Sequence, residues 1–373
     1  MNVTPLLLPP VIDSSTYKMD VSSWDKALDA FDAGNFKEAI LTLLNYVDPE
    51  LIGKTGNADS SEFIIPHGSA LVTLKISKDT FSVDAPFLIL PEKNTIPLLR
   101  QVSTINFSPL VLADISLKND QLSFHYSCPL SLCEPYKIYY VLREICIYAD
   151  MYDDEFITKF KATRLREPVV QYYSKDKLDE MWGILQQILE DTFKYIKYYT
   201  DKRWDGYCWD VIAHTLFKIE FTIGPQGQFR NELEKNINIM IGHGNLNELN
   251  AAGQKYLTSL QNYKREDFDK DMYMVDNFIP YKTSMSSIEN LQPFFKPDYE
   301  RAQGEINAKN TMGASFTMYY AIFRCFYYYN LSADLSAILR QGLIDSGSKP
   351  WDEAAKILFN CLGKIVLATP ATA

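Results

Sequence analysis

The chain has 373 residues, of which 47% are apolar and 23% charged. That composition excludes general disorder, and the length suffices for about two or three domains. The net charge is −10 with no cluster of Lys and Arg to offset it, so a phosphate backbone is not an expected partner.

Residues 1–20 read as a loose arm. Met1–Pro10 carries only the short apolar run Leu6–Leu8 before two prolines, without the charged start and apolar core of a secretory signal. Next, Trp24, Leu28, Phe31, Ala39, Leu43 and Val47 recur at helical spacing on both sides of Gly34-Asn35-Phe36, and Asp48-Pro49 follows. The spacing predicts helix–turn–helix. With Trp at its start, Gly in the turn, Ala on the second helix and Pro at the end, the segment resembles one tetratricopeptide-like unit. Such units bury their apolar faces by stacking, and no second one follows at the period of about 34 residues. The hairpin is therefore expected to pack on the module after it.

Lys54–Ser61 is rich in Gly, Asn, Asp and Ser and reads as a linker. From Ala70 the apolar period becomes two: Ala70, Val72, Leu74 and Ile76, then Phe81 and Val83 beyond the turn Ser77–Thr80. Phe87–Leu90, ended by Pro91, reads as a third short strand. A helix is expected over 95–106, with Pro97 near its first turn and Leu98, Leu99, Val102 and Ile105 as its stripe. Val111–Leu117 and Leu122–Tyr126 alternate around Asn119-Asp120, a fair two-residue hairpin turn. Ile138, Val141, Leu142, Ile145, Ala149, Tyr152, Phe156 and Phe160 then line one side of a long helix that must cover a sheet or a partner. The expected fold class is α+β: an antiparallel sheet with helices on one face, preceded by a helical hairpin and followed by an all-α domain.

Strand signals nearly vanish from Val169 onward. Leu178, Met181, Trp182, Leu185, Leu189, Phe193 and Ile196 make a strong helical stripe, and helices are expected over 207–221, 229–240 and 246–262. Residues 264–300 are polar, aromatic and punctuated by prolines, as at Phe278-Ile279-Pro280 and Pro293-Phe294-Phe295, and so read as irregular. Three more helices, near 312–330, 332–344 and 351–367, give about seven in all. The expected domains are 1–60, 61–168 and 169–373. No run reaches about 18 uninterrupted apolar residues, so no membrane span is expected. The six Cys are scattered and read as reduced thiols of a cytoplasmic protein.

Residues able to carry chemistry are few. His125, Cys128 and Cys133 fall short of the four ligands a zinc site takes. Asp150, Asp153, Asp154 and Glu155 could hold a hard cation, but they fall on the polar side of the long helix and are expected to face solvent. Asp210 and His214 are four residues apart on a helix, a spacing that can orient a base and is equally an ordinary pair. Gly242-His243-Gly244-Asn245 lacks the preceding strand and following Lys of a phosphate loop. Met318, Tyr319, Tyr320, Ile322, Phe323 and Phe326–Tyr329 make a helix apolar nearly all round, with Arg324 its only charge, which suits a core. No catalytic residue, metal or cofactor is expected.

The strand Ala70–Ile76, Ala85-Pro86-Phe87, the helix end Ile105-Asn106-Phe107 and the hairpin Ala113–Tyr126 before the closing helix form an ordered set. In that order, residues 67–166 resemble the class I type III secretion chaperone fold shared by YbjN-like bacterial proteins. The resemblance implies a non-enzymatic protein binder, often a homodimer through its helix and sheet edge, and it implies no catalytic residues. A front hairpin and a helical half of about 200 residues depart from that family's usual size. The expectation is a cytoplasmic adaptor or chaperone-like protein that binds another polypeptide, with Phe87, Leu88, Phe124 and Tyr126 as contacts if the sheet face is open. The alternative is an enzyme or small-molecule binder with a pocket near Trp209, His214 and Tyr319.

Overall fold

A computed structural model describes residues 1–12, 19–168, 170–275, 278–279 and 284–368. Val169, where the helical half was expected to begin, and Pro280 lie outside the described residues, as do residues 13–18 of the arm. The chain divides into two compact units. An α+β unit comprises Lys18–Tyr172 with Tyr273–Tyr281, and a helical unit comprises Met1–Tyr17, Tyr173–Met272 and Lys282–Ala373.

The α+β unit opens with the hairpin of α1 (Ser22–Asp32) and α2 (Phe36–Val47), then the short α3 (Leu51–Thr55). Gly34 closes the hairpin turn at φ +78°, a conformation that side chains other than hydrogen strongly disfavour. Five strands follow as β1 (Glu62–His67), β2 (Ala70–Ile76), β3 (Thr80–Ile89), β4 (Asp114–Lys118) and β5 (Gln121–Pro129). Helix α4 (Thr95–Phe107) separates β3 from β4, and a short 3-10 turn, Leu130–Leu132, leads into α5 (Pro135–Phe160). The sheet order is β1-β2-β3-β5-β4, antiparallel throughout. After Lys161 turns the chain at φ +60°, the two-residue β6 (Thr163–Arg164) returns onto β3. The pair β7 (Gln171–Tyr172) and β8 (Tyr273–Met274) completes the unit.

Two strands differ from the sequence reading. β1 was not expected, since the alternation was read only from Ala70; its Pro66 cannot donate to a ladder and is tolerated because β1 is an edge strand. The two strands expected around Ala85-Pro86 are one ten-residue strand. A register shift between Pro86 and Leu88 absorbs the proline without ending the strand. At the β4–β5 turn, Asn119 and Asp120 both take positive φ (+50° and +59°), as a tight hairpin requires.

Helix α5 lies across β1, β2, β3 and β5. Its Ile138, Val141, Leu142, Ile145 and Phe156 join Phe63, Phe81, Val83, Leu88 and Phe124 in one buried core. Each such side chain contributes about 1.5–3 kcal/mol on burial. The hairpin shares this unit: Trp24 stacks edge-on against Tyr46 at 4.8 Å and against Tyr136 of α5 at 4.7 Å.

The helical unit holds α6 (Lys175–Asp201), α7 (Asp205–Ile223), α8 (Gly227–Ile241), α9 (Leu246–Gln261) and α10 (Arg265–Lys270). After β9 (Ser284–Ser286) come α11 (Ile288–Asn307), α12 (Thr311–Tyr328), β10 (Tyr329–Leu331), α13 (Ala333–Ser346) and α14 (Trp351–Val366). β9 and β10 pair in parallel. α7 is the central helix, packed against α6, α8, α9 and α12. The irregular stretch expected over 264–300 is about half helical, since it holds α10 and the first thirteen residues of α11. α11 runs through Pro293 and Pro297. Each proline removes one helix bond, and the burial of Leu291, Phe295 and Ala302 against neighbouring helices outweighs that loss. Among the described residues, no helix is long and apolar enough to cross a membrane.

Candidate functional site

The sheet face proposed for contact is closed. Phe87, Leu88 and Phe124 are buried, because α5 covers that face. The Phe87 ring sits 5.0 Å from Phe124 and 5.5 Å from Phe156 of α5. Tyr126 is half-buried near Cys128. These four side chains build the core and its rim; they do not present a surface.

Exposed apolar side chains are scattered over this unit, among them Val21, Ile96 and Leu132, but the two most exposed among the described residues lie at the corner between α4 and β4. Phe107 is 89% exposed and Val111 82%. The loop between them is firmly held. Leu110 is buried, and the Glu144 carboxylate of α5 accepts from the backbone N–H groups of Val111, Leu112 and Ala113 at 3.0–3.2 Å. Tyr140, one turn before Glu144, is also exposed. The neighbouring edge of the sheet is capped by a side chain: Asn106 Nδ2 donates to the Ile115 carbonyl at 3.0 Å, and Ile115 N–H donates to Asn106 Oδ1 at 2.7 Å. The far edge is blunted as well. Asn57 exchanges hydrogen bonds with the Glu62 backbone, and Pro66 has no N–H to offer.

The acidic cluster of α5 is not a solvated face. Asp153 is buried, and its Oδ2 accepts from Ser69 Oγ at 2.7 Å and from Arg164 Nε at 3.0 Å. Arg164 also bridges to Asp154, and Asp150 accepts from the backbone and hydroxyl of Ser69. Glu155 instead accepts from Gln101 at 3.0 Å. The close approach of the β1–β2 turn demands Gly68, where an added Cβ would fall 2.1 Å from Asp150 Oδ1. Burial, then the neighbouring Asp154 charge, pushes the Asp153 carboxyl up to about 7 against the opposing pull of Arg164. One guanidinium faces two carboxyls, Asp153 buried and Asp154 half-buried, so Asp153 holds its proton to a higher pH than an ordinary carboxyl does. Asp153 follows Ala149 by four residues and precedes Phe156 by three, so the helical period already placed it on the buried stripe.

In the helical unit, His214 and Tyr319 are buried side by side with ring centroids 5.3 Å apart. Phe323 stands 5.1 Å from the imidazole on another side. Neither ring nitrogen of His214 has a hydrogen-bond partner among the described residues. Burial, then the Lys218 charge, lowers its pKa well below the ordinary imidazole range. Trp209 points elsewhere, donating Nε1–H to the Met240 carbonyl at 3.1 Å. Asp210 faces Arg301 and Glu305 and is pushed up to about 7, chiefly by burial. The i, i+4 pairing of Asp210 with His214 is thus not formed.

What surrounds this cluster is the chain's own first segment. Lys218 Nζ donates to the Leu6 carbonyl at 3.1 Å, and Leu6 N–H donates to Asp191 Oδ2 at 2.8 Å. Tyr195 OH donates to the Val3 carbonyl at 2.9 Å. Thr4 Oγ1 and Tyr319 OH both donate to the Ser346 carbonyl, at 2.7 and 3.0 Å. Burial brings Lys218 down to about 8, with Asp191 opposing the fall. Residues 1–12 are therefore a fixed part of the helical unit and not a loose arm. His214→Phe is expected to leave stability unchanged or to raise it by about 1 kcal/mol, because no hydrogen bond is lost and an unpaired polar group is removed. Chemical denaturation checks this; a loss above about 2 kcal/mol would reveal a partner the imidazole needs.

No protein-family model and no curated protein matches this chain.

Its remaining candidates divide cleanly. His125 Nδ1 lies 2.7 Å from Asp84 Oδ1 across β3 and β5. Cys128 and Cys133 meet at 3.5 Å between sulfurs, away from that pair. Among the described residues, no three His, Cys, Asp or Glu side chains are arranged to hold a metal ion. Gly242 ends α8 in extended backbone, and Asn245 caps α9 by accepting from Asn247 N–H at 2.9 Å. The aromatic helix α12 is a core helix, with Met318, Tyr319, Ile322, Phe323 and Phe326 buried.

Proposed function

We propose that this protein is a non-catalytic, cytoplasmic binder of another polypeptide, of adaptor or chaperone-like character. The carrying observation is the pair Phe107 and Val111 at the α4–β4 corner. A mobile tail exposes apolar side chains freely, but this loop is pinned by three bonds to Glu144. Large apolar side chains on a rigid, exposed corner are the usual form of an interaction anchor. The resemblance of residues 67–166 to the class I type III secretion chaperone and YbjN-like module supports the same reading. So does the antiparallel sheet with helices on one face.

The mode of binding follows from the edges. Asn57 and Pro66 guard β1, and Asn106 guards β4, so strand addition to this sheet is disfavoured. The homodimer through a sheet edge that the family resemblance implies is disfavoured for the same reason. Binding is instead assigned to side-chain contacts at the corner.

The test is crosslinking capture from the native cell, comparing the wild-type chain with F107D/V111D. Recovery of the specific polypeptide is expected to fall about tenfold or more, since buried aromatic and aliphatic anchors dominate such contacts. Unchanged recovery by a folded double variant would sink the corner as the contact site. Failure to recover any polypeptide under crosslinking would sink the binding role itself.

A further inference from the structure

We propose that Cys128 and Cys133 form a dithiol site that a hydroperoxide oxidises to a disulfide. The pair sits where β5 ends and α5 is about to begin. Cys128 lies in register with Phe81, on the covered side of the sheet end, and is half-buried. Cys133 is buried, two residues before Pro135 opens α5. The 3-10 turn Leu130–Leu132 folds the chain back, and the Cys133 N–H donates to the Leu130 carbonyl at 3.0 Å. The fold-back leaves the two sulfurs 3.5 Å apart, with the Cys133 thiol also 3.5 Å from the Pro129 carbonyl. A disulfide needs about 2.05 Å between sulfurs, so side-chain rotation and a small turn adjustment close the gap.

The other thiols are differently placed. Cys361 donates to the Ile338 carbonyl at 3.3 Å, and Cys208 has Gln254 Nε2 at 3.5 Å. Cys146 is buried on the inner side of α5. Among the described residues, a thiol within reach of another thiol occurs at Cys128 and Cys133. Access favours Cys128 as the first to react, because it is the half-buried member. Burial, and then the hydrogen bond with Cys128, raises the Cys133 thiol, which keeps it protonated as the second member.

The chemistry balances with one hydroperoxide. The Cys128 thiolate attacks the terminal peroxide oxygen. An S–O bond forms, the O–O bond breaks, and the departing alkoxide leaves as an alcohol with a proton. The Cys133 sulfur then attacks the sulfur of the Cys128 sulfenic acid. The S–S bond forms as the S–O bond breaks, and hydroxide leaves as water with the Cys133 proton. Two thiols are oxidised and one peroxide is reduced. The product ties the end of β5 to the entry of α5 and fixes the turn between them.

The experiment treats the full chain with hydrogen peroxide, then alkylates and digests it with trypsin. Two of the six thiols are expected to be lost. The peptide spanning residues 119–137 should resist alkylation, weigh two hydrogens less, and return to normal with dithiothreitol. Cys133→Ser should leave a sulfenic acid at Cys128 that dimedone traps, and Cys128→Ser should lose no thiols. Three results would overturn the proposal: retention of all six thiols in the wild type, a sulfinic acid at Cys128 beside a free Cys133 thiol, or a disulfide mapped to other cysteines. The wild-type peptide map decides the matter even if a serine variant folds poorly.

Discussion

Arg164→Ala is expected to destabilise the α+β unit by about 3 kcal/mol near neutral pH, because it leaves the buried Asp153 and the half-buried Asp154 without their counter-charge. Arg164 reaches Asp153 at 3.0 Å and also bridges Asp154, and it enters on β6, which pairs with Leu88 and Ile89 of β3. Urea unfolding measures the change; a loss below about 1 kcal/mol would mean the network relaxes into water. Asp153→Asn provides the complementary test. Burial raises the Asp153 carboxyl to about 7, so the folded state keeps a proton that the unfolded chain has released. Its contribution is full below the unfolded carboxylate range near about pH 4 and is lost as pH rises through about 7. His214 acts in the opposite sense: its lowered pKa makes folding less favourable as pH falls through the ordinary imidazole range near about 6.5. Lys218, lowered to about 8, also acts in the opposite sense to Asp153, so the clear window is about pH 6.5 to 7.5, where stability should fall by somewhat under about 1 kcal/mol for a group such as Asp153. Asp153→Asn should remove that part of the slope, and Asp210→Asn should remove the matching part in the helical unit. A slope unchanged in Asp153→Asn would place the retained proton elsewhere.

Removal of residues 1–12 is expected to destabilise the helical unit by roughly 5 kcal/mol or more, counting about 1 kcal/mol for each lost hydrogen bond and about 2 for Leu7. The bonds are those of the Val3, Pro5 and Leu6 carbonyls and the Thr4, Leu6 and Val11 N–H groups, all made to the helical unit. Lys218 and Asp191 would also lose Leu6 as partner, leaving a buried ammonium with less compensation. Calorimetry should show a lower transition, and hydrogen exchange should quicken in α6 and α7. Lys218→Met in the full chain should cost far less, about 1–3 kcal/mol, since the remaining bonds persist. If the shortened chain melts with the wild type, the segment is a passive tail.

Much of the secondary structure was legible because local rules govern it. The alternation at Ala70–Ile76, the Asn119-Asp120 turn and the stripe from Ile138 to Phe160 each express a backbone period through side chains a few residues apart. Pro293 misled, and Pro66, Pro86 and Pro297 stand inside regular elements for the same reason. A proline signals a break by local accounting, yet an edge position, a register shift or packing of the surrounding helix can override it.

The sites were less legible than the elements. Phe87, Leu88 and Phe124 were recognisable as apolar strand residues, but whether a helix covers them depends on where α5 lies. Asp153 was within reach of the helical period, yet it was grouped with its acidic neighbours because its counter-ion was unknown. Phe107 and Val111 look like ordinary core residues in the sequence. Their exposure follows from Glu144, over thirty residues away in the chain, holding the loop against α5.

The sequence by itself determined the α+β class, the hairpin at the front, the helical second half and the absence of a charge pattern suited to nucleic acid. Those properties depend on composition and on periods of two and 3.6 residues, which neighbours in the chain express directly. Only the tertiary structure decided that Arg164 returns to Asp153, that residues 1–12 lie against Asp191 and Lys218, and that Cys128 meets Cys133. The first depends on β6 folding back onto β3 beside α5, and the second on the packing of elements far apart in the chain. The third depends on the side-chain directions set by a single irregular turn. No local period encodes either, and desolvation then gives the buried groups chemistry that their identity alone does not predict.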